Sequence, residues 1–206
     1  GLAPVKLNNK WGVIDKTGEL VIPCIYDNIN KFCEGLAKVE LNNKWGFIDK
    51  AGNTVIPCIY NYDYKNYDIT WHNRCFFIHS FSDGLAMVVL NKLKQKYGFI
   101  DKTGEIAIPF IYDGAGSFSE GLAYVYLNNK YGFIDKTGKS VIPCIYDRAG
   151  SFSEGLAYVY LNNKWGFFDK TGELVIPCIY DEADSFSEGL APVKLNNKWG
   201  VIDKTG

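Results

Sequence analysis

The chain has 206 residues, 22 Lys and Arg against 23 Asp and Glu, a formal net charge of −1 and 16 % aromatic residues. So many aromatics supply ample apolar surface for a core and exclude a disordered chain. The evenly mixed charges form no basic stripe, which argues against nucleic acid as a partner, and no apolar run reaches the roughly 20 residues that span a bilayer.

Trp-Gly or Tyr-Gly doublets stand at Trp11-Gly12, Trp45-Gly46, Tyr97-Gly98, Tyr131-Gly132, Trp165-Gly166 and Trp199-Gly200, with spacings of 34, 52, 34, 34 and 34. A fixed period of this size marks a solenoid, propeller or array. It divides the chain into residues 1–34, 35–83, 84–120, 121–154, 155–188 and a partial 189–206, one array of about six units. Residues 1–18 recur unchanged as residues 189–206. The chain opens on Gly1 in mid-unit and shows no signal peptide, so it reads as a window from a longer product.

Each unit holds three strand-like runs, in the fourth unit Leu122–Leu127, Tyr131–Asp135 and Ser140–Tyr146. Val, Ile, Tyr and Phe dominate them, as half-buried strands require. Asn128-Asn129 joins the first two, and paired Asn residues suit the positive φ of a two-residue type I′ turn. Asp135-Lys136-Thr137-Gly138 joins the second and third, the pattern of a type I turn closed by a left-handed Gly and a bulge. Pro143 cannot donate to a ladder, so the third strand is expected at an edge or at a bulge. Asp147–Glu154 reads as a loop or a short helical turn. One such meander cannot bury its apolar face alone, so neighbouring units must cover one another.

The repeated residues are scaffold, and function is expected where the units differ. In the first strand Ala123, Val125 and Leu127 have near-identical counterparts in every unit and form the expected core face. On the opposite face one position holds Pro4, Lys38, Met87, Tyr124, Tyr158 and Pro192. The next holds Lys6, Glu40, Val89, Tyr126, Tyr160 and Lys194. Such variety reads as a wet face. Tyr124, Tyr126, Tyr158 and Tyr160 then form an aromatic patch suited to a protein or glycan partner, or else cross-strand pairs that stabilise the sheet. The second unit carries about fifteen inserted residues near 62–76, with Trp71, His72, Arg74 and Cys75 in them and His79 close behind. Such a loop is either a lid or a recognition element. A shorter insertion lies at 91–96, where NKLKQK replaces NNK.

Chemistry-bearing residues have plainer explanations. Cys24, Cys58, Cys144 and Cys178 share one position with Phe110, which marks a packing site; Cys33 and Cys75 are singletons, and no Cys-x-x-Cys occurs. Asp15, Asp49, Asp101, Asp135, Asp169 and Asp203 open the KTG turns, while Asp27, Asp113, Asp147 and Asp181 follow IY. Turn chemistry accounts for them without calcium. His72, Cys75 and His79 are too few for a metal site. There is no phosphate-binding glycine loop, no GxSxG and no HExxH. Neither catalysis nor a cofactor is expected.

The string WGFIDKTGELVIP, with EGLAxV upstream and IYDxAxxFSE downstream, closely resembles the bacterial WG-repeat family over nearly the whole chain outside its insertions. The resemblance implies an all-β repeat architecture and extracellular, surface or accessory interaction modules without one fixed enzymatic activity. Tyr97 and Tyr131 depart from the family's Trp but keep an aromatic body. The expected fold is all-β, tandem three-stranded meanders of about 34 residues in an open twisted solenoid, with a closed propeller-like ring as the alternative. The expected function is a non-catalytic scaffold that binds through Tyr124, Tyr126, Tyr158, Tyr160, Trp71, His72 and Arg74. The alternative is a structural repeat that associates with itself end to end. The compartment is open.

Overall fold

The computed structural model describes residues 1–61, 75–90 and 95–206, with backbone alone for Asn61 and residues 75–77. The chain forms two compact units, Gly1–Phe110 and Ile111–Gly206. Among the described residues there are strands and no helix. The first sheet holds β1 (Ala3–Leu7), β2 (Lys10–Ile14) and β3 (Leu20–Tyr26). The second holds β4 (Asn28–Ile29), β5 (Leu36–Leu41), β6 (Lys44–Asp49) and β7 (Thr54–Asn61). The third holds β8 (Cys75–Ile78), β9 (Ala86–Leu90), β10 (Lys96–Ile100) and β11 (Ile106–Tyr112). The fourth holds β12 (Gly114–Ala115), β13 (Leu122–Leu127), β14 (Lys130–Asp135) and β15 (Ser140–Tyr146). The fifth holds β16 (Arg148–Ala149), β17 (Leu156–Leu161), β18 (Lys164–Asp169) and β19 (Leu174–Tyr180). The sixth holds β20 (Glu182–Ala183), β21 (Leu190–Leu195) and β22 (Lys198–Asp203). Each sheet is an antiparallel meander in chain order and none closes into a barrel, the all-β tandem architecture expected of an open repeat array.

The meander gains a strand over the three expected. Arg148 and Ala149 lie in the segment read as a loop, yet they pair with Tyr160 and Val159 of the next strand. Two residues are too short to show any period, so composition alone speaks for a loop there. The hairpins follow turn chemistry. Asn128 and Asn129 have φ of 51° and 63° and close β13–β14, as a type I′ turn requires. Asp135 Oδ1 accepts from the Thr137 amide, the Thr137 hydroxyl and the Lys139 amide, at 2.9, 2.6 and 3.0 Å. The Thr137 hydroxyl leads in holding the Asp135 carboxyl below its usual range.

At Gly12, Gly46, Gly98, Gly132 and Gly166 the doublet glycine has a steric cause. β3, β7, β15 and β19 are each bulged against the strand before them, and the backbone of the third strand crosses directly over the doublet Gly. A Cβ on Gly12 would stand 2.5 Å from the Ile22 carbonyl oxygen and 2.7 Å from Cys24 Sγ. A Cβ on Gly166 would stand 2.6 Å from the Ile176 carbonyl oxygen. The sixth sheet lacks this strand, and at Gly200 nothing lies within 4 Å.

Within each compact unit the core lies between successive sheets. In the second unit of the chain Leu122, Phe133, Ile142 and Tyr146 of the fourth sheet pack on Ala157, Val159 and Phe168 of the fifth. Leu156, Phe167, Ile176 and Tyr180 then pack on Ala191 and Val193 of the sixth. The first unit repeats the pattern twice, with Val13, Ile22 and Tyr26 against Ala37, Val39 and Ile48, and Leu36, Phe47 and Ile56 against Ala86, Val88 and Ile100. Both faces of the second and fifth sheets are therefore covered, and the variable face there is not a wet one. Lys38 is 9 % exposed, donates from Nζ to the Ile78 carbonyl at 3.0 Å and sits 4.3 Å over the Trp45 ring. Its carbon stem packs while its charged tip finds partners, which is how a buried position accepts Lys.

Polar ties bridge the same interfaces. Glu120 accepts from the Gly155 amide at 2.9 Å and pairs with Lys170 at 2.7 Å; Glu154 does the same with Gly189 and Lys204, and Glu34 with Gly84 and Lys102. Ser119 Oγ donates to the Phe152 carbonyl, and Cys33 takes the serine's place by donating to the Phe81 carbonyl at 3.2 Å. The aspartates after IY are also cross-ties rather than self-contained turns. Asp27 pairs with Lys10 and accepts from the Asn42 amide of the next hairpin at 2.8 Å, and Asp147 pairs with Lys130. In Asp27 the Lys10 bond leads in lowering the carboxyl pKa.

Candidate partner-binding surface

The four tyrosines fall into two ring clusters. Tyr124 and Tyr126 flank Tyr131 at centroid distances of 6.0 and 4.7 Å, and Tyr158 and Tyr160 flank Trp165 at 5.4 and 4.8 Å. Tyr126 lies directly opposite Tyr131, and Tyr160 opposite Trp165, in the strand register. All four are half-buried. The Tyr126 hydroxyl donates to Asn129 Oδ1 at 3.1 Å, and the Arg148 guanidinium lies 5.7 Å from the Tyr160 ring centroid. Tyr124 and Tyr158 lie over glycines: a Cβ on Gly116 or Gly150 would fall 2.3 or 2.2 Å from the ring. In the other sheets the residue in that glycine's place is Asn30, His79 or Asp184, bonded by its amide to the carbonyl of Lys38, Met87 or Pro192. Ring and glycine thus occur together, the signature of cross-strand packing. Trp71, His72 and Arg74 lie outside the described residues.

A different surface is exposed and repeated. In β3 the order of burial is Leu20 out, Ile22 in, Pro23 out, Ile25 out and Tyr26 in, and β11, β15 and β19 repeat the Pro and Ile exposures. Ile25, Ile111, Ile145 and Ile179 are 46, 49, 47 and 45 % exposed, while Ile59 of β7 is half-buried. Each of these strands is an edge of its sheet. Proline withholds an N–H from the edge, so another strand cannot simply extend the sheet there. What remains is a side-chain surface of one Pro and one Ile per repeat, with Leu20, Ile106 and Leu174 also exposed beside it. The motif VIPCIY carried the signal: an edge proline followed at the second place by an aliphatic residue. It is easily passed over when repeated residues are equated with scaffold.

The cysteines of the third strands pack in the scaffold. Cys24, Cys58, Cys144 and Cys178 are half-buried free thiols, and burial pushes Cys58, Cys144 and Cys178 up, away from the thiolate. That is the inert microenvironment of a packing cysteine. Among the described residues no three His, Cys, Asp or Glu groups converge as metal ligands, and no helix is long and apolar enough to cross a membrane.

The family model for the WG containing repeat matches residues 11–45, 45–64, 97–131, 131–165 and 165–199. Among solved structures the chain is similar to Hsv2 of Kluyveromyces lactis, at 9 % identity and a TM-score of 0.50, over 98 % of this chain and 70 % of that one. It is also similar to a protein of unknown function from Bacteroides caccae, at 12 % identity and a TM-score of 0.32, over 100 % and 90 % of the two chains. PorZ, a bacterial surface component of the type-IX secretion system of Porphyromonas gingivalis, matches at 13 % identity and a TM-score of 0.39, over 98 % of this chain and 32 % of PorZ. At such identities the Hsv2 likeness concerns the fold alone. No curated protein matches the chain in sequence.

Proposed function

The chain belongs to the WG-containing repeat family, and from that premise we propose that it is a non-catalytic interaction scaffold for a protein partner. One observation carries the reading: four isoleucines at one repeat position stay nearly half exposed on edge strands. A contiguous exposed apolar patch marks an interaction site, and the edge strands supply the side chains for one: an exposed Ile and Pro each, with Leu20, Ile106 and Leu174 exposed on the same strands. Exposed aliphatic side chains and prolines suit a protein surface better than a sugar, whose rings stack on exposed aromatic faces. The tyrosine clusters, being half-buried, contribute at most their edges, and the inserted loop at 62–76 is a second contact of the same scaffold. Affinity capture from the cells that make the protein tests this. A variant with Ile25, Ile111, Ile145 and Ile179 changed to Ser loses the native chain's partner, whereas Tyr126→Phe with Tyr160→Phe keeps it. Retention of the partner by the serine variant refutes the reading.

The alternative, a self-assembling structural repeat, has its own observation. Trp199 and Val201 are exposed on one face of the sixth sheet, and Ala3 and Leu7 on the opposite face of the first. These are the two halves of the interface repeated inside each compact unit. Sedimentation of the 206-residue chain over a concentration series reads it. Growth in mass that Val201→Lys abolishes supports association, and one concentration-independent species counts against it.

A further inference from the structure

One sheet interface is incompletely filled. Between the first and second sheets lies a cavity of about 660 Å³ lined by Pro4, Val13, Ile29, Phe32, Lys31 and Lys50, among others. This is within the usual volume of a small-molecule site. The cause is legible in the repeat. At the corresponding place the second sheet supplies Lys38 and Phe47, with Phe81 docked on Phe47 at 4.8 Å. The fourth supplies Tyr124 and Phe133, with Phe152 at 5.2 Å, and the fifth supplies Tyr158 and Phe167, with Phe186 at 5.0 Å. The first sheet offers Pro4 and Val13, paired in the register, to the corresponding ring of Phe32. Both filling side chains are small at once. Phe32 stays half-buried, whereas Phe81, Phe118, Phe152 and Phe186 are buried.

The departure is coupled to a charge. The residue before this ring is Ser80, Ser117, Ser151 and Ser185 in the other repeats and Lys31 here. Lys31 and Lys50 both line the cavity, and none of its lining residues is acidic. We propose that the cavity binds a small apolar anion, an aromatic or aliphatic acid, with its apolar body against Pro4, Val13 and Phe32 and its acid group toward Lys31. An apolar wall with one or two convergent polar groups is the usual composition of such a site. Burial of the body supplies affinity, and the ammonium selects an anion over a neutral compound of the same shape. This inference is independent of the edge-strand isoleucines, which lie on other strands.

The test is a fluorescence titration of the 206-residue chain at low salt with two dyes. One is 1-anilinonaphthalene-8-sulfonate, an apolar aromatic anion, and the other is the neutral N-phenyl-1-naphthylamine. Saturable binding of the sulfonate is expected. Val13→Phe, which installs the residue used at 47, 99, 133 and 167 and so is compatible with the fold, weakens both dyes at least tenfold. Lys31→Glu weakens the sulfonate at least fivefold and leaves the neutral dye within twofold. Val201→Phe is the matched control, since it makes the same change in the identical 18-residue segment at a position that lies open, 63 % exposed, and it changes neither dye. Melting of each variant confirms that it is folded. Absence of sulfonate binding to the native chain, unchanged binding in folded Val13→Phe, or a loss in Val201→Phe that matches the loss in Val13→Phe would overturn the proposal.

Discussion

Residues 1–18 and 189–206 are the same 18 amino acids in two places, and the two copies bury opposite faces. Their local structure is shared. Ala3 pairs with Ile14 as Ala191 pairs with Ile202, and the Asn-Asn turns have φ of 49° and 63° in one copy and 51° and 62° in the other. In the first copy Val13 is 2 % exposed while Ala3 is open; in the second Val201 is 63 % exposed while Ala191 is fully buried. Turn chemistry and alternation therefore shape the hairpin on their own, and the neighbouring sheet alone decides which face becomes core. This is the nearest-neighbour logic of repeat proteins seen within a single chain.

The comparison can be broken most sharply at the doublet glycines. Gly12→Ala drives a Cβ into the Ile22 carbonyl and Cys24 and is expected to cost about 3 kcal/mol, the upper range of overpacking. Gly200→Ala has open space and is expected to stay within about 0.5 kcal/mol of the native chain. Urea midpoints for the two variants decide it, and equal losses would mean that the outer strand does not press on the glycine. A smaller contrast follows at the valines. Val13→Ala empties a buried site and is expected to cost roughly 1–3 kcal/mol, while Val201→Ala costs almost nothing.

The smallest effect is one the two copies share. Asp15 and Asp203 each accept from a threonine hydroxyl and the threonine amide, and the hydroxyl leads in lowering both carboxyls. The folded pKa lies below the unfolded value of about 3.9. Stability from these turns is thus fully present above that value and is lost as pH falls through the lower, folded pKa. The melting temperature should be level from pH 7 to about 5 and fall below about pH 4. Asp15→Asn and Asp203→Asn should each blunt the fall slightly and equally. Unequal blunting would show that the two turns differ in structure as well as in surroundings.

The sequence carried the elements further than it carried their surroundings. Asn128-Asn129, the Asp-Lys-Thr-Gly turns and Pro143 each declare a local backbone geometry, and each is found in it. Ala149 and its counterparts form two-residue strands too brief for any period. Variety at Lys38 and Tyr124 reads as solvent exposure, because a sequence does not show that a next sheet will cover the position and that a long side chain can still reach a carbonyl or a ring. Constancy at Ile145 reads as scaffold for the converse reason: its exposure depends on lying at the sheet edge, which pairing order sets and composition does not. The candidate surface was therefore half legible, its edge strand marked by Pro143 and its exposed isoleucine unmarked.

The central claim, that neighbouring sheets make the core and leave the edge-strand isoleucines outside, is tested most directly by thiol accessibility. Ala191→Cys, Ala3→Cys and Ile145→Cys would each be labelled with a thiol reagent under native conditions and counted by intact mass against the native chain. The account predicts one rapidly labelled additional thiol for Ala3→Cys and for Ile145→Cys, and none for Ala191→Cys, whose position is fully buried, until the chain is unfolded. Equal labelling of Ala191→Cys and Ala3→Cys, or protection of Ile145→Cys, would contradict it.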